Sequence, residues 1–137
     1  MIRPAVLFLL WSGPCLAADI TGIPAGQMRW ERTPAGVAFA ALNGDRFAEP
    51  YMAMVALPAG LVSPAHVKSA DMFGLVVSGT MTHVPQGFSP QEGTAIGPGG
   101  FYHIPAELPH VSSCISKEDC VTFLYQPGAF DFRPMAP

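Results

Sequence analysis

The chain has 137 residues, of which 50% are hydrophobic and 12% charged, and its formal net charge at pH 7 is −3. This length predicts a single domain with a substantial core. Because there is no basic stripe or polybasic run, the sequence argues against nucleic acid and membrane surfaces as partners.

The N-terminus has the order of features typical of a secretory signal peptide. Arg3 supplies a positive charge, an apolar run follows at 5–11, and small residues stand at Ala17 and Ala18. The apolar run is shorter than the roughly 20 residues that span a bilayer. We therefore expect cleavage after Ala17 or Ala18 and export to the periplasm or medium. The chain then divides into a signal peptide, 1–18, and one domain, 19–137.

The rest of the chain consists of short apolar stretches separated by turn residues. Trp30 precedes the first strand and is expected to pack onto the body of the domain. The predicted strands, in chain order, are 37–42, 51–57, 65–68, 72–78, 80–84, 100–104, 110–112 and 121–125. The aromatic tail, 128–134, is expected to fold back. Many short strands and no long amphipathic helix predict an all-β sandwich or barrel.

The cysteines support export. Loss of the signal peptide removes Cys15 and leaves Cys114 and Cys120. In an exported protein an even pair predicts a disulfide, and a loop this short stabilises by about 2 kcal/mol. A metal site and a reactive thiol are less favoured alternatives, because the pair lacks the usual two-residue zinc spacing and only His110 is near.

Two stretches, 60–79 and 99–110, resemble the paired motifs of the cupin superfamily. The first motif has a Gly, five residues, His-any-His, a Glu, and a Gly six residues later. The second has a Gly, five residues, Pro-any-Gly, two residues and a His. The positions in register are Gly60, His66, Gly79, Gly99, Pro105 and His110. The resemblance implies a cupin-type double-stranded β-helix, a jelly-roll barrel. The cysteine pair and the Phe-Asp-Phe tail further resemble a secreted, single-domain bacterial branch.

The metal-binding part of the motif is degenerate. Lys68 replaces the second His and Met72 replaces the Glu, which leaves His66 and His110 as an incomplete metal site. An ammonium has no lone pair to donate, and a thioether suits copper(I) rather than the usual cupin metals. These four residues therefore predict, at most, a weakly bound divalent transition metal. His83 and His103 are possible substitute ligands, but a half-exposed strand position is favoured for each.

Lys68 has two competing interpretations. In one, it leaves the barrel mouth or pairs with Asp71 or Glu107. In the other, its charge replaces that of the metal and binds a carboxylate or enolate-like ligand, and partial burial makes it a catalytic base.

The residues expected to contact the ligand are His66, Lys68, Met72 and His110. The sequence thus predicts an exported cupin that binds a small, anionic molecule. The alternative is a metal-dependent oxygenase, lyase or isomerase acting on a small organic acid or diketone-like substrate. Because cupins commonly dimerise, the resemblance also points to a homodimer.

Overall fold

A computed structural model describes residues 18–136. The expected signal peptide, apart from Ala18, lies outside this range. Within it, no helix has the length and apolar character that crossing a membrane requires. Two single-turn 3-10 helices span Ala25–Gln27 and Pro90–Glu92. The strands are β1 (Trp30–Arg32), β2 (Ala38–Asn43), β3 (Tyr51–Leu57), β4 (His66–Val67), β5 (Met72–Ser78), β6 (Met81–Pro85), β7 (Phe101–Ile104), β8 (His110–Cys114), β9 (Cys120–Gln126) and β10 (Arg133–Pro134).

The strands form two antiparallel sheets. One has six strands in the order β1-β2-β3-β9-β5-β7, and the other has four in the order β10-β4-β8-β6. Strand β9 lies between β3 and β5, so the order in the sheet differs from the order in the chain. Alternate residues of each sheet face its partner and form one core. The expected all-β, single-domain jelly roll is confirmed.

The predicted strands correspond to β2–β9, with ends that differ by one or two residues. Two strands at the edges, β1 and β10, were not predicted. Both are too short to show the two-residue alternation of apolar and polar side chains that marks a strand. Each is defined only by its pairing with a neighbouring strand. Trp30, expected to pack onto the domain, lies in β1 and remains 42% exposed. The aromatic tail folds back as expected, and Phe130 packs against the core.

Two motif positions explain how the chain turns near the site. Gly79 has a φ of 74°, and a Cβ there would lie 2.8 Å from the Cα of Cys120. Glycine is therefore required where the β5–β6 turn passes β9. Glu107 replaces the second-motif glycine and keeps a left-handed φ of 60°. Its N–H donates to the Lys68 carbonyl at 2.8 Å, which ties the second motif to the first.

The predicted disulfide between Cys114 and Cys120 is confirmed, with the two Cα atoms 5.7 Å apart. It joins the end of β8 to the start of β9, and both cysteines are buried. Because β8 and β9 belong to different sheets, the disulfide links the two layers of the barrel.

Candidate functional site

A cavity of about 390 Å³ lies between the two sheets. Most of its wall is aliphatic or aromatic, and its polar groups are concentrated on the four-stranded side. The lining residues are Thr33, Pro34, Ala35, Val37, Phe39, Val55, Leu57, Leu61, Ser63, His66, Lys68, Met72, Met81, His83, Tyr102, Ser112, Thr122, Leu124, Phe130 and Phe132. The volume is within the range of small-molecule sites, about 300–1,000 Å³.

The two motif histidines lie side by side. His66 on β4 pairs directly with His110 on β8, and their ring centroids are 4.3 Å apart. The His66 ring forms part of the cavity wall, whereas His110 packs against it from outside the lining. The Nδ1 of His66 lies 2.9 Å from the Pro64 carbonyl, and that of His110 lies 2.8 Å from the Leu108 carbonyl. Since a carbonyl only accepts, each Nδ1 carries the proton and each Nε2 presents a lone pair.

Both imidazoles are neutral at pH 7. Burial, with further repulsion from His110 and Lys68, lowers the pKa of His66 to about 4. Burial and the nearby Lys68 charge also lower the pKa of His110. The Nε2 of His110 is buried and has no hydrogen-bond partner among residues 18–136. The pair therefore supplies acceptors rather than charge.

Lys68 points into the cavity. It is 5% exposed, and its Nζ lies 3.7 Å from the ring centroid of Phe130 and 5.6 Å from that of Phe132. The pairing with Asp71 or Glu107, which belongs to one of the two interpretations, does not form. Within the described chain, its ammonium has no carboxylate within ion-pair distance. Burial lowers its pKa to about 8, although the more distant Asp131 charge opposes this shift.

Met72 lines the cavity, as its motif position predicts. His83 also lines it, so the favoured interpretation of His83 as a half-exposed strand residue is wrong. The turn at Gly79 resets the alternation, and pairing with Ser112 on β8 places His83 on the inner face. Its Nδ1 lies 2.9 Å from the Ser112 hydroxyl. Its buried Nε2 has no partner among the described residues, and burial lowers its pKa to about 3.

His103 lies outside the cavity, so the half-exposed position expected for it is confirmed. Its Nε2 is 3.2 Å from an Asp71 carboxylate oxygen, and its ring stacks on Phe73 with centroids 4.6 Å apart. Asp71 also accepts a hydrogen bond from the Ala106 N–H at 2.7 Å. These groups join β5 to the loop before β8 and do not approach the ligand space.

Tyr102 was expected to lie in the core or the barrel lining, but its pairing with Thr122 was not predicted from the sequence. The hydroxyls of these two residues are 3.2 Å apart, and both line the cavity. The Tyr102 ring crosses Gly74, where a Cβ would lie 2.0 Å from it. A glycine inside an otherwise apolar strand was the available signal, because it often marks a close approach by another group.

The C-terminal tail, 128–136, covers one side of the cavity. Phe132 stacks on His66 with centroids 4.2 Å apart. Asp131 accepts a hydrogen bond from the Ser69 N–H at 3.0 Å, and the Arg133 guanidinium bonds to Asp131 and Glu107. The tail thus brings two aromatic rings to the neighbourhood of Lys68, which the sequence motifs alone do not indicate.

No protein-family profile and no curated protein sequence matches this chain, but solved structures do. KdgF from Halomonas sp. is 18% identical, with a TM-score of 0.62 over 80% of this chain and 94% of that one. The polyketide cyclase RemF from Streptomyces resistomycificus is 17% identical, with a TM-score of 0.67 over 87% of both chains. An RmlC-like cupin from Shewanella frigidimarina is 15% identical, with a TM-score of 0.61 over 80% and 92%. The chain has the cupin fold.

The donor set does not fit the usual four-ligand cupin metal centre. Two of the four ligand positions are Lys68 and Met72, and the ammonium of Lys68 faces the same cavity as the His66 imidazole. Within residues 18–136, no three His, Cys, Asp or Glu side chains lie close enough to hold one metal ion together. The site therefore offers one cation and neutral imidazoles.

Proposed function

We propose that this protein is an exported cupin that binds a small organic anion with an apolar body. The observation that carries the proposal is the buried Lys68 ammonium, which faces the cavity without a carboxylate partner among the described residues. A buried charge is costly unless it is paired. A carboxylate or enolate on the ligand would supply the missing partner.

The rest of the cavity defines the ligand further. The walls formed by Phe39, Val55 and Leu57 favour an aliphatic or aromatic body. On the opposite side, the Nε2 atom of His66 is a lone-pair acceptor, so it would repel a carboxylate and favour a hydroxyl group. We therefore infer a ligand whose acidic group binds Lys68 and whose hydroxyl, if present, binds an imidazole.

Export is part of the same proposal. The support is the signal-peptide pattern at 1–18 together with the Cys114–Cys120 disulfide, which is typical of oxidising compartments. The proposed mature protein is the single cupin domain, 19–137.

A second candidate is an enzyme in which Lys68 accepts a proton from the bound ligand. The supporting observation is the pKa of Lys68, lowered by burial to about 8, which is closer to a useful general base than that of a free lysine. RemF, which has the same fold, is a polyketide cyclase. The metal-dependent alternative lacks a matching donor set, so no reaction step is derived through a metal.

The binding proposal is tested with pairs of aryl and cycloalkyl carboxylates and their primary amides, by calorimetry and ligand-observed NMR. The chain has two lysines, Lys68 and the exposed Lys117, so Lys117→Met is a matched control for Lys68→Met. A lost charge-assisted contact should weaken carboxylate binding about 10- to 100-fold in Lys68→Met. Amide binding should change little in either variant. Equal carboxylate affinity in both variants would contradict the proposal.

A further inference from the structure

Lys68 carries the one side-chain amine among the residues that line the cavity in the described chain. The residue is buried, and its Nζ lies against the ring of Phe130, with the ring of Phe132 farther away. The other lysine of the chain, Lys117, is exposed between β8 and β9. One lysine is therefore held in an apolar cavity, and the other provides an internal reference in water.

The surroundings of Lys68 favour a nucleophilic amine rather than an ion pair. Within residues 18–136, no carboxylate lies within ion-pair distance of its Nζ. A salt bridge would hold the proton on the nitrogen and so occupy the lone pair that attacks a carbonyl carbon. A lysine amine among apolar groups, without such a partner, is the type that forms imines with carbonyl compounds.

The cavity also supplies what imine formation needs besides the amine. The His66 ring lines the same cavity, and its Nε2 presents a lone pair because its Nδ1 bonds to the Pro64 carbonyl. This lone pair can accept the proton that the lysine nitrogen releases as it bonds to carbon. The walls formed by Phe39, Val55 and Leu57 limit the water that would hydrolyse the product.

We propose that Lys68 forms a reversible imine with an aldehyde or ketone that has an apolar body. The Nζ lone pair attacks the carbonyl carbon, and the electron pair of the C=O π bond moves to oxygen. The resulting carbinolamine loses that oxygen as water, which takes both protons of the amine, and a C=N bond replaces the C=O bond. The reaction consumes no oxidant, reductant or cofactor. It uses the proposed ligand cavity but does not require the ligand to be an anion.

The apolar walls make the reaction selective. An apolar aldehyde that occupies the cavity holds its carbonyl carbon beside the Nζ of Lys68, and this raises the effective concentration of the two reacting groups. A polar aldehyde gains nothing from the walls, so it should react at least as readily with Lys117. The proposal therefore predicts a preference for Lys68 that depends on the body of the carbonyl compound.

The test is borohydride trapping of the purified protein with benzaldehyde. Sodium borohydride reduces an imine to a stable secondary amine, and peptide mapping by mass spectrometry then distinguishes the two lysines and the N-terminal amine. The comparison is made at about pH 10.5, slightly above the ordinary pKa of a lysine side chain, so that protonation does not decide it. Benzaldehyde should label Lys68 at least about tenfold more than Lys117. Glyceraldehyde, a polar aldehyde, should show no preference for Lys68.

An excess of benzyl alcohol is the matched competitor, because it has the same apolar body and no carbonyl group. It should reduce the benzaldehyde label on Lys68 and leave that on Lys117 unchanged. Equal labelling of the two lysines by benzaldehyde would overturn the proposal. An equal preference for Lys68 with glyceraldehyde, or a label on Lys68 that benzyl alcohol does not reduce, would also overturn it.

The outcome is separable from that of the anion-binding proposal. Preferential labelling of Lys68 in a protein that binds no carboxylate would support the imine and contradict anion binding. Carboxylate binding that Lys68→Met weakens, without preferential labelling of Lys68, would support anion binding and contradict the imine.

Discussion

Lys68 is the residue that most distinguishes this site from the full cupin metal motif. At a motif position where cupins have a histidine, it brings a positive charge to the cavity wall beside the aromatic rings of the tail. The ring of Phe130, 3.7 Å from its Nζ, offers a cation–π contact that partly replaces lost hydration. The charge remains without a carboxylate partner in the described chain, and this makes its protonation state responsive to a ligand.

Anion binding should depend on pH through Lys68. Because its pKa is about 8, the ammonium is mostly charged at pH 7 and neutral at pH 9.5, while a carboxylate probe stays ionised throughout. The dissociation constant for such a probe should rise up to about tenfold per pH unit above pH 8. Titration calorimetry from pH 6 to 9.5 measures it. A Lys68→Arg variant keeps its charge and should show a flat profile, whereas a pH-dependent Lys68→Arg variant would argue against this origin.

The missing metal ligands should be replaceable. A variant with Lys68→His and Met72→Glu has the donor types of the full cupin motif around His66 and His110. Purified without chelator, it should retain close to one divalent transition metal per chain, and adding His66→Ala should remove that metal. The wild type should retain far less. Elemental analysis measures the metal content per chain. If the wild type holds a stoichiometric metal, and if His66→Ala and His110→Ala abolish it, the interpretation of an incomplete metal site is contradicted.

At the scale of the elements, the site depends on segments that are distant in the chain. Strand β4 has two residues, yet it carries His66 and lies between β8 and β10. On its other side, the tail is attached through Asp131, Arg133 and the Met135 N–H, which donates to the Ala65 carbonyl at 2.8 Å. These contacts hold the short strand in register and position the tail aromatics over the cavity.

The disulfide should stabilise the domain without determining its fold. It closes a short loop, with a sequence separation of 6, for which loop entropy predicts about 2 kcal/mol. Cys114→Ser with Cys120→Ser, or reduction of the wild type, should lower the unfolding free energy by that amount in urea titrations. The double serine variant is the control, since reductant should not affect it further. A loss of folding on reduction would show that the disulfide does more than close a loop.

At the scale of the whole molecule, the barrel buries neutral histidines that an unfolded chain would protonate in mild acid. Burial lowers the pKa of His66 to about 4 and that of His83 to about 3, against 6.5 in an unfolded chain. Between pH 6.5 and 4 the unfolded state therefore binds more protons than the native state, and stability falls as pH falls. Each such proton contributes about 1.4 kcal/mol per pH unit.

Urea unfolding at pH 7 and at pH 5 measures this effect, and the lower pH should give the lower unfolding free energy. Replacing one of the buried imidazoles, as in His83→Gln, should reduce the difference between the two pH values by the contribution of one proton. An unfolding free energy that is equal at both pH values would show that these histidines are already charged in the native state.

Local patterns were sufficient to predict most of the architecture. Strand alternation and turn residues depend on near neighbours, so eight strands were predicted almost to their ends. Motif spacing identified the cupin barrel and placed His66 beside His110, and the cysteine pair was correctly matched. The edge strands β1 and β10 were missed because they exist only through pairing with strands elsewhere in the chain.

The tertiary structure decided where the critical side chains point and what surrounds them. The sequence could not predict which face of β6 carries His83. The alternation of inward and outward residues along β5 does not continue across the turn at Gly79, because a turn shifts it by an amount that the sequence does not show. Lys68 faces inward, and its nearest aromatic ring belongs to Phe130, 62 residues later in the chain. The position of β9 between β3 and β5 was likewise not predictable, since strand order across a sheet is set by long-range packing rather than by local preference.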